Sequence, residues 1–152
     1  MEPIFHRDKS GNSLSAHPPT TYLTFASWIY LVPQYRPESV LILGYAGGTV
    51  AGLIRILYGD VSITGVDLEP CEDRYGATIV QADAREYVKT CGNFDTVIVD
   101  LFTIKNSTCC DFITAPDFVA NVSRIANYLI VNTLGDKDMT AYGHLRKIGR
   151  NK

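Results

Sequence analysis

Three aspartates stand where an apolar run stops: Asp67 after Ile63-Thr64-Gly65-Val66, Asp83 after Ile79-Val80-Gln81-Ala82, and Asp100 after Thr96-Val97-Ile98-Val99. A fourth run, Val40-Leu41-Ile42-Leu43, stops at a glycine-rich turn, Gly44-Tyr45-Ala46-Gly47-Gly48-Thr49, and leads straight into a helical pattern. Glycines in such a turn adopt torsions closed to other residues and let a ligand approach the main chain beside the positive end of a helix. Asp67 follows Gly44 at about the twenty-residue offset at which a carboxylate accepts hydrogen bonds from ribose hydroxyls. Its alternative role, a helix N-cap, is weakened by Pro70 and Gly76, which leave little helix to cap. Asp83 precedes Ala84-Arg85-Glu86-Tyr87-Val88, so an N-cap and a ligand contact both suit it. Asp100 is expected to face a cleft, because an unpaired carboxylate behind four apolar residues is costly to bury. Acids and glycines converging in one crevice describe a nucleoside pocket.

The elements that must bring these residues together follow from the hydrophobic pattern. Apolar runs without polar alternation suit strands buried on both faces, hence a parallel sheet. Strands are predicted at 40–43, 61–66, 78–81, 96–99 and 128–131. Helices are predicted at 23–32, opened by Thr20-Thr21 and stopped by Pro33, at 49–58 with Val50, Leu53, Ile54 and Leu57 inward, at 84–89, and at 116–126 with Pro116 at an early position. This alternation predicts an α/β fold, a Rossmann-like doubly wound, mostly parallel sheet of about five strands. Ligands of such sheets sit at the carboxyl ends of the strands, near the point where strand order reverses. Residues 1–19, rich in Pro, Ser, Gly and Asn, read as an irregular arm, and residues 20–152 as a single domain. The tail from Asp136 admits one more helix, weakened by Gly143 and Gly149.

Composition narrows the classes. At 152 residues one domain is expected, and 14 Lys+Arg against 16 Asp+Glu, a net charge of −2, lack the basic excess of a protein that grips nucleic acid through many phosphates. No apolar run approaches the roughly 20 residues of a membrane span, and the charged N-terminus is unlike a signal peptide. A soluble, cytoplasmic protein is expected, with neither nucleic acid nor membrane as partner. Cys71, Cys91, Cys109 and Cys110 read as free thiols, without metal-ligand spacing. His6, His17 and His144 are scattered, with no nucleophile placed to form a triad.

Taken together, VLILGYAGGTV (40–50), ITGVDLEP (63–70), VQADAREYV (80–88) and FDTVIVDLF (94–102) resemble, in order and content, the motifs of class I S-adenosylmethionine-dependent methyltransferases. The spermidine synthase-like branch is nearest, since its first strand enters the glycine turn without the earlier acidic residue, and Ile42 stands there. The stretch 114–134 is similar to the family's helix and fifth strand after the catalytic loop, and the segment around Tyr22 to a pre-domain stretch whose Tyr lies near the active site. The resemblance covers residues 18–134. It implies a pocket for S-adenosylmethionine or its products S-adenosylhomocysteine and methylthioadenosine. Gly44, Tyr45, Ala46, Gly47 and Gly48 would form the turn beside the methionine part. Asp67 with Leu68 would hold the ribose, Asp83 with Ala84 the adenine amine, and Phe102 would pack near the base. Asp100 matches the carboxylate that faces the attacking group, and Tyr22 and Thr103 would line the substrate side. No metal is implied.

Departures from the pattern bear on the activity. Thr103 stands where the spermidine synthases carry a second carboxylate, and Gly47 where their turn carries an Asp. Residues 68–82 are too few for the usual helix and strand, and residues after 134 too few for the usual end of the sheet, which implies a truncated methyltransferase fold. The leading expectation is an enzyme that binds S-adenosylmethionine and acts on a small acceptor. Aminopropyl transfer, cleavage of the cofactor itself, and a non-catalytic nucleoside-binding or interaction protein stay open beside it. A nicotinamide-dependent oxidoreductase also fits a glycine turn with an acid after the second strand, but the third glycine is missing. A bare fifth strand would be an apolar edge, so a homo-oligomer through that edge is expected.

Overall fold

A computed structural model describes residues 4–7, 13–17, 28, 30–103, 110–132 and 148–150. In chain order they form β1 (Ile4–Arg7), β2 (Ser13–His17), β3 (Ser39–Leu43), α1 (Thr49–Tyr58), β4 (Ser62–Asp67), β5 (Thr78–Gln81), α2 (Ala84–Thr90), β6 (Phe94–Val99), a 3-10 turn (Asp111–Thr114), α3 (Pro116–Ile125), β7 (Ala126–Val131) and β8 (Ile148–Arg150). The main sheet has the order β5-β4-β3-β6-β7-β8 with every pair parallel. This is the α/β Rossmann-like architecture that the alternating runs predict.

Alternation along each strand divides the core into two layers. Leu41, Leu43, Val97, Val99, Leu129 and Val131 pack on one face with Val88 of α2 and Phe118, Val119, Val122 and Ile125 of α3. Val40, Ile42, Ile63, Ile98 and Ile130 pack on the other with Val50, Ala51, Leu53 and Ile54 of α1. Leu57, expected inward, is 55% exposed. The inward position of the last turn of α1 belongs instead to Tyr58, one i+4 step from Ile54, which packs on the same cluster and donates its hydroxyl to the Pro33 carbonyl.

The crossover from β4 to β5 has no helix, as the shortness of that segment implies. Residues 68–77 are held by polar contacts and two rings. Asp73 accepts the backbone N–H groups of Tyr75 and Ala77, each at 3.0 Å. Arg55 of α1 donates to the carbonyls of Tyr75 (2.7 Å), Gly76 (3.3 Å), Gly59 (3.1 Å) and Val61. Tyr75 covers Gly52 so closely that a Cβ there would lie 2.9 Å from its ring.

Several boundaries differ from expectation. The N-terminal arm is not wholly irregular: β1 and β2 pair antiparallel as a separate two-stranded sheet, with Ile4 opposite His17 and Phe5 opposite Ala16. α3 passes into β7 at Ala126 without a loop, two residues before the predicted strand. β7 is not a bare edge, because β8 pairs with it from Leu129 to Val131, so the edge on which self-association is expected is occupied there. Of the predicted helix 23–32, Trp28 is helical and Leu31 and Val32 are buried, with the Leu31 N–H on the Trp28 carbonyl at 2.9 Å. The rest of that helix, and the tail helix considered from Asp136, fall mostly outside the described residues. Cys71, Cys91 and Cys110 are free thiols, and Cys109 is outside the description. Burial, followed by the charge of Asp67, pushes the Cys71 thiol up to about 12, which makes it a packing residue rather than a nucleophile. Among the described residues no helix is long and apolar enough to cross a membrane.

Candidate functional site

From β3 the chain steps to β4 and β5 on one side, and from β6 to β7 and β8 on the other. Strand order therefore reverses between β3 and β6, and a crevice opens at their carboxyl ends. Gly44 and Asp100 meet there. The Gly44 N–H reaches the Val66 carbonyl at 2.8 Å and the Asp100 N–H the Leu43 carbonyl at 2.8 Å, which extends the sheet bonding past the strand ends. Gly44 has φ +90, and a Cβ at this position would collide with the Asp100 carbonyl oxygen. No side chain fits between the turn and β6, so Gly44 is required both by torsion and by space.

Asp67 binds the turn from the neighbouring strand. Its Oδ2 accepts the N–H of Ala46 at 2.8 Å, and its Oδ1 that of Glu69 at 3.0 Å. Ala46 has φ +50, a left-handed torsion unusual for a residue with a Cβ, and the Asp67 contact helps to hold it. Gly48, at φ +87, then admits the chain to α1, whose first residues Thr49 and Val50 are buried. The resulting cleft is lined by Trp28, Ile42, Gly44, Tyr45, Gly48, Thr49, Val50, Ala51 and Asp100.

Asp100 is the acid of the cleft floor. Removal from bulk water pushes its carboxyl up to about 6; the Asn132 amide opposes this, and the Asp67 charge adds to it. Asn132 Nδ2 donates to Asp100 Oδ1 at 2.9 Å. A carboxyl so poised is mostly ionised at neutral pH and still able to take up a proton, which suits a general base.

The remaining predicted residues divide. Tyr45 is 3% exposed and packs chiefly as a core side chain, with its ring against Gly48 and Gly65 and its hydroxyl donating to Asp73 Oδ1 at 3.0 Å. Burial and the Asp73 carboxylate hold its pKa far above the ordinary phenol range. Gly47 is buried within the turn. Asp83 is the N-cap of α2: its Oδ1 accepts the Arg85 N–H at 2.8 Å, and the Arg85 guanidinium binds the same carboxylate at 2.9 and 3.2 Å. Arg85, first by this hydrogen bonding, keeps the Asp83 carboxyl below its usual range, and also lies 4.7 Å over the Phe112 ring. Ala84, the first residue of α2, is buried in the core, and Leu68 is 62% exposed. Phe102 packs partly buried on the α2/α3 side of the sheet, and Thr103 is half-buried beyond it. Tyr22 lies outside the described residues. Two neighbours of the site lie outside the pattern of acids at strand ends: Asp73 beneath Tyr45, in the segment between β4 and β5, and Asn132, the first residue after β7. The second is visible once the strand-end rule is applied to any polar residue.

Among solved structures, the chain is similar to human methyltransferase-like protein 13 in complex with SAH, at 13% identity over 72% of this chain, with a TM-score of 0.52. The aligned part spans 61% of that protein's chain. A second likeness, to MoeE5 in complex with UDP-glucuronic acid and NAD, has 16% identity over 62% of this chain and 36% of that one, with a TM-score of 0.47. No family model and no curated protein matches the sequence. The first likeness is one of fold alone.

Proposed function

We propose that this chain binds S-adenosylmethionine, or a thioether nucleoside derived from it, in the crevice between β3 and β6, and that it acts at the sulfonium-activated carbon of bound S-adenosylmethionine. The observation that carries the reading is the meeting of Gly44, Asp67 and Asp100 at the carboxyl ends of three adjacent parallel strands. The turn would admit the methionine part to the backbone, and Asp67 would accept from the ribose hydroxyls with the lone pairs its two backbone contacts leave. Asp83 would reach an adenine amine only by sharing its carboxylate with Arg85. Bound S-adenosylmethionine supplies an electrophilic carbon with a neutral thioether as leaving group. Asp100 supplies an oriented carboxylate that takes the proton of the attacking atom or holds that atom in line.

The acceptor in this reading is small. A second reading, cleavage of the bound molecule by an internal or water nucleophile, is favoured by Thr103 standing in place of a second acid, which leaves little to bind a cationic acceptor.

Calorimetry with S-adenosylmethionine, S-adenosylhomocysteine, methylthioadenosine and NAD tests the proposal. Heat is expected with the sulfonium and thioether nucleosides and none with NAD. Asp67→Ala should weaken binding by about tenfold or more, since hydrogen bonds to a charged acceptor contribute roughly 1.5–3 kcal/mol each. No heat with any of the three nucleosides overturns the reading. Product analysis separates the two chemistries: S-adenosylhomocysteine signals methyl transfer, and methylthioadenosine formed without acceptor signals cleavage.

A further inference from the structure

We infer that Asn132 is a positioning residue of this cleft, whose side-chain amide holds one oxygen of Asp100 so that the other is presented to the reacting atoms. The inference rests on the function proposed above and adds a residue to that site.

The backbone sets the pair. The Asn132 N–H donates to the Val99 carbonyl at 2.8 Å, and the Asp100 N–H to the Leu43 carbonyl at 2.8 Å, so acid and amide leave neighbouring strands at one level. Asn132 is 7% exposed, and its Nδ2 meets Oδ1 of Asp100 at 2.9 Å. A buried amide is costly to leave unmatched, so the contact restrains both side chains. Because the amide is neutral, it orients the carboxylate without the strong suppression of proton uptake that Lys or Arg would impose.

Among the described residues few other groups act on Asp100. Asp67, on β4, is the charged residue that bears on it, and it opposes ionisation. Ile42 of β3, Trp28, and Gly48, Thr49 and Val50 at the start of α1 are uncharged, and the Tyr45 hydroxyl is bound to Asp73.

The test is a carbon-13 NMR titration of the aspartate-labelled protein, with Asp100→Asn used to assign the resonance, run beside the pH profile of turnover. Wild-type Asp100 should titrate at about pH 6. In Asn132→Leu the midpoint should rise by about one pH unit, the scale of one lost hydrogen bond to a charged group. The acid limb of turnover should move with it. Asn132→Ala, which removes the amide without adding apolar volume, should shift both in the same direction and serves if the Leu variant does not fold. Unchanged titration and unchanged pH profile in a folded variant overturn the inference, since a merely structural amide would alter stability alone. If the titration moves while the wild-type chain binds none of the nucleosides, the proposed function falls and the control of Asp100 by Asn132 stands.

Discussion

The ring of Tyr45 occupies the space that a side chain on Gly65 would need, and its hydroxyl donates to Asp73 at 3.0 Å. The second residue of the glycine turn is thereby anchored in the core, on the far side of β4 from α2 and α3. It joins the turn to the segment that stands in for a helix between β4 and β5.

Gly65→Ala should destabilise the fold by about 1–3 kcal/mol, the usual scale of overpacking, because the Tyr45 ring must move. Tyr45→Ala also destabilises alone, yet the two changes together should cost clearly less than their sum, since the cavity of one receives the methyl group of the other. Urea denaturation of the four proteins measures this. Additive losses would show that Tyr45 and Gly65 do not share that space.

Asp100 makes stability depend on pH in a stated direction. Its folded pKa is raised from 3.8 to about 6, so the folded chain binds the proton more tightly than the unfolded one. Its favourable contribution is complete below about pH 4 and is lost as pH rises through 6. Asp100→Asn should therefore stabilise the protein at pH 8, by up to about 3 kcal/mol at roughly 1.4 kcal/mol per pKa unit, and by little at pH 4. Denaturation at the two pH values decides the matter; a greater gain at pH 4 contradicts the buried, raised carboxyl.

Asp83 works in the opposite sense. Its pKa is lowered, chiefly by Arg85, so its contribution is present above the unfolded value and fades as pH falls through the folded one. Asp83→Ala should cost about 1 kcal/mol at neutral pH through loss of the cap. Asp83→Asn, which keeps an accepting oxygen, should cost less. Equal losses in thermal melts would mean that the cap contributes nothing separable from the Arg85 pair.

Arg55 should govern the order of residues 73–77. Arg55→Leu removes its donors from Tyr75, Gly76, Gly59 and Val61, and a loss on the order of 2 kcal/mol is expected from charged hydrogen bonds of this kind. Amide exchange at Tyr75 and Ala77 should quicken while that in β6 stays slow. Protection unchanged in both places would show that Arg55 does not hold the segment.

The sequence is most legible where chemistry is local. Gly48 and Gly59 bracket α1, Asp83 opens α2 and Pro116 opens α3, so these elements fall within a residue of expectation. The strands β3, β4, β5 and β6 are marked by apolar runs between polar or glycine residues. Tertiary pairing hides the rest. The short β8 sequence Ile148-Gly149-Arg150 carries no strand signal of its own and is defined by β7. The β1–β2 pairing is hidden by the polar, Pro- and Ser-rich composition of residues 1–19. At the site, Asp67 and Asp100 are readable because strand ends display them. That Tyr45, which lines the cleft, also folds its ring back into the core is not readable, because a turn residue carries no periodicity to show where its ring goes.

The polar segment between β4 and β5 has a consequence for local unfolding. A helix in that place would bring an apolar face of its own, whereas residues 68–77 rely largely on Arg55, Asp73 and two tyrosine rings. Regions with few buried apolar contacts open at free energies below that of global unfolding. Through Tyr45 and Asp67 the glycine turn is tied to this segment, so a ligand settling on the turn would suppress its opening. Binding would then register first as resistance of the 68–77 segment to proteolysis, and only later as a higher melting temperature.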